Sequence, residues 1–459
     1  MAETLISPGV LAREIDRSQV SALPVNVGAA IIGPTVKGPV QQPTVVTSYG
    51  DYVNTFGDVL TSGSDTYSYF TSIAAYNYFN NGGSSLLVAR VVTGSYTSAT
   101  STTISASTQA SSQPAFVLKT ISKGIIMNNS GALDSAGALI SGSTDNIRWE
   151  IVNPVTSSGT FDLLIRQGND VTNSKIVLET FTGLSLDPKS PNFVSKVIGD
   201  YVYNYNSSTN QIELTGSFAN NSKYVYVSSV NLLTPDYLDN SGVAKNQYTS
   251  SIPLAASGSF NGATGDIKGG ANFYTAITAN NTQGLDAGCY TNMINLLSNK
   301  DDYQFNILIT PGLVDELHTS AVSTIVTNTQ QRGDNIFILD SVGYGSTYSS
   351  VITQAASRDT SYAASYWPWL QVLDPDSGAR VWVPASTMIG GVYAYNDNVA
   401  EPWFAPAGIN RGGLSTVIRA ERKLAQGDRD TLYLNKVNPI ATFPGQGVVV
   451  YGQKTLQEK

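Results

Sequence analysis

The chain has 459 residues, of which 41% are hydrophobic and 10% aromatic. This composition is typical of a folded protein of about two to four domains and excludes a largely disordered one. Only 13% of the residues are charged and the formal net charge is −8. Because no run of Lys or Arg could neutralise a phosphate backbone, we expect no nucleic-acid binding.

The sequence also gives no sign of a membrane segment or a disulfide. Its N-terminus lacks the basic and apolar regions of a signal peptide, and no apolar stretch approaches the roughly 20 residues that span a bilayer. The single cysteine, Cys289, excludes an internal disulfide and is consistent with folding in a reducing cytoplasm. We therefore expect no membrane anchoring.

Residues 1–23 are predicted to be an extended N-terminal arm. Ser7-Pro8-Gly9 is a turn, and residues 10–15 alternate loosely enough to form a strand that has no obvious partner nearby. Such an arm is either frayed or bound to another subunit by strand addition.

Residues 24–93 are predicted to form a compact unit of strands and helices. The predicted elements are a buried strand over Val25–Ile32, a segment over Tyr49–Phe56 with Tyr52 and Phe56 at helical spacing, a helix over Asp65–Phe79 with Ser64 or Asp65 as its N-cap, and a returning strand over Leu86–Val92. Asn81-Gly82-Gly83 is typical of the end of a helix.

Residues 94–250 are predicted to form one or two inserted β-rich domains that face solvent. The composition changes at Gly94, where a Ser/Thr/Gly/Ala-rich and nearly uncharged stretch begins. Short strands separated by turn residues follow, at Arg148–Val152, Thr160–Gln167, Lys175–Phe181, Tyr201–Tyr205, Gln211–Thr215 and Lys223–Val230.

Residues 251–459 are predicted to form an α/β domain. A strand over Phe305–Ile309, a helix that ends at Gly333 and a strand over Ile336–Leu339 form a βαβ unit, so these strands should be parallel. A helix near Tyr348–Ala356 and a strand near Leu370–Leu373 should extend the sheet. We expect a further amphipathic helix over Leu414–Gln426, with Leu414, Val417, Ile418 and Ala425 inward.

No group of residues predicts catalysis, a cofactor site or a metal site. His318 has no ligand partner at suitable spacing and is interpreted as a capping or surface residue, and Cys289 as a small core residue. Gly262–Gly270 lacks the ending of a phosphate loop and is interpreted as a flexible turn region. Asp374–Gly378 is interpreted as a turn between strands rather than a calcium loop, and Asp315-Glu316 as first-turn acids of a helix.

A series of short motifs in residues 358–455 is far more specific. They are Arg358-Asp359, Ser365-Tyr366-Trp367-Pro368-Trp369, Val383-Pro384-Ala385-Ser386, Gly390-Gly391-Val392-Tyr393-Ala394, Asn396-Asp397, Trp403-Phe404-Ala405-Pro406-Ala407-Gly408, Leu432-Tyr433-Leu434-Asn435, Val437-Asn438-Pro439-Ile440, Phe443-Pro444-Gly445-Gln446-Gly447 and Val450-Tyr451-Gly452-Gln453-Lys454-Thr455. Their order and spacing resemble the core of the phage tail sheath family, which includes R-type bacteriocins and related contractile injection machines. The N-terminal half agrees through Ser7-Pro8-Gly9-Val10 with Glu14, Thr55-Phe56-Gly57, Phe79-Asn80-Asn81-Gly82-Gly83 and Val88-Ala89-Arg90-Val91.

The resemblance implies a multidomain α+β or α/β fold whose sheath core is built from N- and C-terminal segments around β-rich inserted domains. It implies a structural protein, not an enzyme, that assembles in the host cytoplasm and ends in the virion tail. Its partners would be further copies in hexameric discs, the tail tube, the baseplate and the tail terminator. Contraction of such a sheath drives the tube through a cell envelope. On this analogy the arm donates a strand to a neighbouring subunit through Leu5, Ile6, Val10, Leu11 and Ile15.

Members of the family usually continue past Gly452-Gln453-Lys454-Thr455 into a further α/β region. We therefore expect the chain, as given, to be a monomer in solution.

Four tryptophans, Trp367, Trp369, Trp382 and Trp403, lie close together in the sequence beside prolines, and we interpret them as the filling of a stiff core. Two other functions stay open at this point. A virion adhesin would fit the Ser/Thr/Tyr-rich β segments, although the sequence has no fibre repeat. A carbohydrate-active enzyme would need two acidic residues in one cleft.

Overall fold

The fold is taken from a computed structural model, which describes residues 26–62, 65–106, 113–266, 273–401 and 403–458. The strands, in chain order, are β1 (Asn26–Gly33), β2 (Thr44–Val46), β3 (Val59–Ser62), β4 (Asp65–Ser68), β5 (Leu86–Arg90), β6 (Ser98–Ser101), β7 (Phe116–Lys123), β8 (Ile147–Val155), β9 (Thr160–Gln167), β10 (Val177–Ser185), β11 (Val202–Asn206), β12 (Gln211–Thr215), β13 (Val225–Val230), β14 (Ala256–Asn261), β15 (Gln304–Val314), β16 (Ile336–Asp340), β17 (Ala363–Trp367), β18 (Leu370–Leu373), β19 (Arg380–Val383), β20 (Val417–Ala420), β21 (Val437–Phe443) and β22 (Gly447–Val450).

The helices of the described residues are α1 (Tyr49–Phe56), α2 (Phe70–Asn80), α3 (Val194–Ile198), α4 (Asn246–Thr249), α5 (Thr291–Leu296), α6 (Thr319–Arg332), α7 (Tyr348–Ala356), α8 (Ser386–Val399) and α9 (Gln426–Leu434), with 3₁₀ turns at Ile125–Met127 and Ala287–Tyr290. α6 ends where the sequence predicts, because Gly333 adopts the left-handed conformation (φ 71°) that closes a helix. None of the described helices is both long enough and apolar enough to cross a membrane.

The larger sheet joins distant parts of the chain. Its eight strands run in the order β2-β5-β1-β15-β16-β17-β21-β22. The six inner strands are parallel, whereas β2 and β22 pair antiparallel at the two ends. β5 and β17 are buried along their whole length, as expected for parallel strands covered on both faces. The predicted βαβ unit of β15, α6 and β16 is confirmed, as is a core assembled from both ends of the chain.

A second sheet is antiparallel throughout. It has seven strands in the order β10-β9-β8-β14-β6-β7-β13, and β7 and β9 alternate buried and more exposed residues along their length. This alternation is typical of a sheet with one covered face. Phe116, Trp149 and Phe161 are buried in its own hydrophobic core, so the β-rich insert predicted from the sequence is present.

Four sequence predictions about elements are wrong. Residues 65–68 form the hairpin strand β4, and the following helix begins only at Phe70. Strand β15 continues through Pro311 and Gly312 to Val314 instead of ending before them. β18 pairs with β19 and β20 in a separate three-stranded sheet rather than extending the large one. Residues 414–426 are not a helix, because residues 417–420 form β20 and the helix begins at Gln426.

Candidate assembly surface and internal joints

The five residues predicted to form an intersubunit interface, Leu5, Ile6, Val10, Leu11 and Ile15, lie outside the residues that the structure describes. Their role stays a prediction.

His318 is at the N-cap position of α6, but its side chain is buried and not at the surface. The backbone N–H of Val314 donates to its Nδ1 at 2.9 Å. The ring proton is therefore assigned to Nε2, which lies 2.9 Å from the Thr278 carbonyl oxygen. Burial lowers the pKa of His318, so the ring is neutral and structural.

The segment Asp374–Gly378 is a turn between β18 and β19, as predicted. Asp374 is fully buried and accepts hydrogen bonds from Ser68 Oγ at 2.5 Å and from Ser377 Oγ. Asp376 accepts from the hydroxyl of Tyr49. These carboxylates therefore attach the turn to the N-terminal part of the core. Across the described ranges no group of three or more His, Cys, Asp or Glu could bind a metal ion.

Asp315 is not a first-turn acid, because α6 begins four residues later at Thr319. Its fully buried carboxylate forms a two-point ion pair with Arg358, with Nη2–Oδ1 2.5 Å and Nε–Oδ2 3.1 Å. Arg358 also donates to Ser323 Oγ in α6 at 2.7 Å. The pair joins the end of β15, helix α6 and the segment after α7.

A second buried carboxylate fixes helix α8 to the sheet. Asp340, the last residue of β16, accepts hydrogen bonds from Ser386 N (3.0 Å) and Ser386 Oγ (2.5 Å) at the first residue of α8. Burial raises the pKa of Asp340 to about 7, although the two bonds from Ser386 favour its charged form. The start of α8 is thereby set at the carboxyl end of the parallel strands.

Arg90, at the end of β5, links the two sheets. Its guanidinium is fully buried and donates to the carbonyl oxygens of Gly38 (2.7 Å) and Lys123 (2.9 Å), the last residue of β7. Its cation also lies over the ring of Tyr96 at 5.3 Å. Lys37 and Asp145 add an ion pair of 3.2 Å across the same boundary.

The exposed apolar surface of the C-terminal half is concentrated near the end of α8. Tyr395 and Val399 lie on α8, and Trp403, Phe404 and Ile409 follow in the next loop; all five are exposed, Trp403 at 78%. We call these five residues the Trp403 patch. Asn396 Nδ2 donates to the carbonyl oxygens of Glu401 (3.4 Å) and Phe404 (3.2 Å), so the loop folds back onto the last turns of the helix.

The C-terminal part of the chain is similar to a known protein family. Residues 288–456 match the family described as the phage tail sheath protein central domain. Residues 288–456 are therefore similar to the central domain of phage tail sheath proteins, and we refer to them below as the sheath domain.

Curated tail sheath proteins are similar in sequence to this chain over shorter segments. The chain is 35% identical over 117 residues to the tail sheath protein of Vibrio phage KVP40, which is 26% of this chain and 17% of that protein. It is 43% identical over 74 residues to the tail sheath protein of Enterobacteria phage T4, which is 16% of this chain and 11% of that protein. The matches thus cover less than a fifth of the length of these relatives.

A solved sheath tail protein from Listeria innocua has a similar fold. It superposes with a TM-score of 0.51 at 10% identity, covering 94% of this chain and 69% of that one. At this identity the likeness concerns the fold alone.

Within the sheath domain, the interpretation of the tryptophans is right for three and wrong for one. Trp367, Trp369 and Trp382 are buried, whereas Trp403 is exposed. Sequence reasoning missed the Arg358–Asp315 pair and the Asp340–Ser386 contact, although Arg358 and Ser386 both stand in the sheath motifs. The motifs mark Arg358 and Ser386 as characteristic residues, but the order of the motifs does not predict that their partners are Asp315 and Asp340.

Proposed function

We propose that the protein is a structural subunit of a contractile tail sheath. The observation that carries the proposal is the match of residues 288–456 to the sheath central domain. We further propose that subunits stack as hexameric discs around a tail tube, contact baseplate and tail terminator proteins, and shorten to drive the tube through a cell envelope. The particle would assemble in the host cytoplasm and carry the sheath in the virion tail.

Tight aromatic packing in the sheath domain supports a load-bearing role. Trp369 packs edge-on against Phe70 (6.2 Å between ring centroids) and Tyr344 (6.0 Å), and Tyr344 contacts Trp382 at 5.2 Å. Trp369 Nε1 also donates to the Val342 carbonyl oxygen at 3.0 Å. Interlocked rings with satisfied polar atoms resist deformation, because few alternative packings are available to them.

The proposal assigns one task to each part of the chain. Residues 1–23 would be an arm that joins subunits through Leu5, Ile6, Val10, Leu11 and Ile15. Residues 24–93 and most of residues 251–459 would form the sheath core, and residues 94–250, extended by β14 (Ala256–Asn261), the outward-facing insert. Bodies of this kind would rotate as units about their connections when the sheath shortens.

Negative-stain electron microscopy of the protein expressed from its full reading frame tests the proposal. Hollow tubes with a regular axial repeat are expected, since a head-to-tail interface that does not close generates helical polymers. Trimeric fibres, or discrete particles at every concentration and ionic strength, would contradict a sheath.

A further inference from the structure

A cavity of about 530 Å³ lies between the N-terminal part of the core and the β-rich insert. On the core side it is lined by β2, helix α1 and the loop around Gly38, and on the insert side by β7, by Ile147 of β8 and by Tyr203 of β11. The ion pair of Lys37 and Asp145 borders the cavity without filling it. Cavities of this size at a boundary between two parts of a protein are the usual sites of small organic ligands.

Contacts at several points hold the two walls of the cavity together. The backbone N–H of Gly38 donates to Ser122 Oγ in β7 at 2.7 Å. Asp51 in α1 pairs with Lys223 of the insert at 3.1 Å, and the hairpin of β11 and β12 packs against the hydrophobic core of the large sheet. The folded chain itself therefore forms the cavity, so that a ligand need not provide the free energy to order it.

Much of the cavity wall is apolar. Met127 and Ile147 are buried, with exposed fractions of 2% and 3%, and Val53, Ile121 and Leu178 are half-buried. Such side chains are stabilised by contact with apolar atoms and offer no strong hydrogen bond. A ligand that fits this wall has an apolar body. A saccharide is disfavoured, because its hydroxyl groups would lose their hydrogen bonds to water here.

The charges of the cavity wall leave one carboxylate without a cation. Asp51 pairs with Lys223, and Lys37 pairs with Asp145. Asp58 makes no ion pair with a described residue; its Oδ1 accepts from the next backbone N–H at 2.7 Å, and its Oδ2 has no partner in the described part of the chain. The wall thus carries three carboxylates but two ammonium groups. This excess of negative charge favours a cationic ligand over an anionic one.

We propose that the cavity binds a small organic cation, with an apolar body that ends in an amine. The body would contact Met127 and Ile147, and the ammonium group would pair with the carboxylate of Asp58. The side-chain amides of Gln42 and Gln167, which make no hydrogen bond to a described residue, supply further carbonyl acceptors for the ammonium N–H groups. The site does not depend on the proposed sheath role, because the single chain forms both of its walls.

Methyl NMR of the complete chain tests the site at one residue. The chain has four methionines, and Met127 lines the cavity, whereas Met293 and Met388 are buried in the hydrophobic core of the large sheet. Titration with hexylamine should shift the ¹³C-methyl signal of Met127, identified by its loss in Met127→Leu, until the site is saturated. The signals of Met293 and Met388 should not move. Hexanol, which has the same apolar body without the charge, should bind about tenfold more weakly.

Three variants and two further compounds complete the test. Asp58→Asn keeps the oxygen that accepts from the next backbone N–H and removes the charge, so it should weaken hexylamine binding about tenfold and leave hexanol binding unchanged. Asp301→Asn, at an exposed aspartate of the core, is the matched control and should change neither. Asn54→Trp, at an exposed residue of α1 on the cavity wall, should abolish both by filling the space.

Several results would overturn the proposal. They are a Met127 signal that does not move, equal affinities for hexylamine and hexanol, tighter binding of hexanoate or maltose, undiminished hexylamine binding in Asp58→Asn, and continued binding in Asn54→Trp. None of these results bears on whether the full reading frame forms tubes, so this proposal and the proposed function fail separately.

Discussion

The buried ion pair between Asp315 and Arg358 makes a quantitative prediction. Arg358→Ala removes both charge-assisted bonds to a carboxylate that is fully buried. Because a buried charge left without its partner is strongly unfavourable, we expect the free energy of unfolding to fall by about 3–5 kcal/mol. Arg380→Ala, at an exposed arginine of β19, should change it by less than about 0.5 kcal/mol.

Urea denaturation followed by tryptophan fluorescence is the appropriate assay. The sheath domain contains four of the five tryptophans, so the signal reports mainly on the part of the chain that contains the pair. Adding Asp315→Asn to Arg358→Ala removes the stranded charge and should recover part of the loss. The cycle should give a coupling energy of about 0.5–3 kcal/mol between the two sites.

The reasoning would be refuted if Arg358→Ala cost no more than the Arg380→Ala control, or if the effects of the two substitutions were additive. Either result would mean that the carboxylate of Asp315 is solvated or rebonded when Arg358 is absent.

Three further predictions concern single residues of the core. Asp340 has a folded-state pKa of about 7, above its unfolded value near 4, so its contribution to stability is complete below about pH 4 and is lost as the pH rises through 7. Between these pH values the melting temperature should decline less for Asp340→Asn than for the unaltered protein. Equal declines would contradict the pKa assigned to Asp340. Leu432 is fully buried on α9 whereas Leu434 is 76% exposed on the same helix, so Leu432→Ala should lower stability by about 2–5 kcal/mol and Leu434→Ala by no more than about 0.5 kcal/mol in urea unfolding. Burial raises the pKa of Cys289 to about 12, so its thiol should react slowly with a thiol reagent at pH 8 in the folded protein and rapidly in urea; equal rates would show an accessible thiolate.

The sequence predicts those elements whose signal is local. The strand over Ile336–Leu339 is apolar and short, and Gly333 marks the end of the preceding helix, so both are found close to their predicted places. The strands of the insert are recognised because turn residues separate them. Resemblance to the sheath motifs supplies what periodicity does not, namely that the two ends of the chain build one core.

Elements that depend on distant partners are predicted wrongly. Leu414, Val417 and Ile418 have helical spacing, but contacts with distant strands determine the backbone conformation here. Leu414 N donates to the Val448 carbonyl oxygen at 2.9 Å, and Val417 pairs with Val372 in β18. Similarly, residues 65–68 pair with residues 59–62 across a hairpin. Tertiary contacts outweigh local propensity in both places.

The internal joints are beyond sequence reasoning for a related reason. Arg90 donates to the carbonyl oxygens of Gly38 and Lys123, which are backbone groups of no particular residue type. No pattern of side chains could have predicted these acceptors. Trp403 is the converse case, since its residue type suggests a core position while the fold leaves it on the surface.

The pairing of β1 with β15 has a consequence for synthesis of the protein. Asn26 lies beside Gln304, roughly 280 positions later in the chain, and at about 5–20 residues per second a ribosome needs about 15–55 seconds to supply that partner. During this interval the antiparallel sheet, whose strands are all made before β15, has all its partners, whereas β1 pairs with β5 on one side and lacks β15 on the other. The free edge of β1 is therefore open to pairing with other chains until β15 emerges.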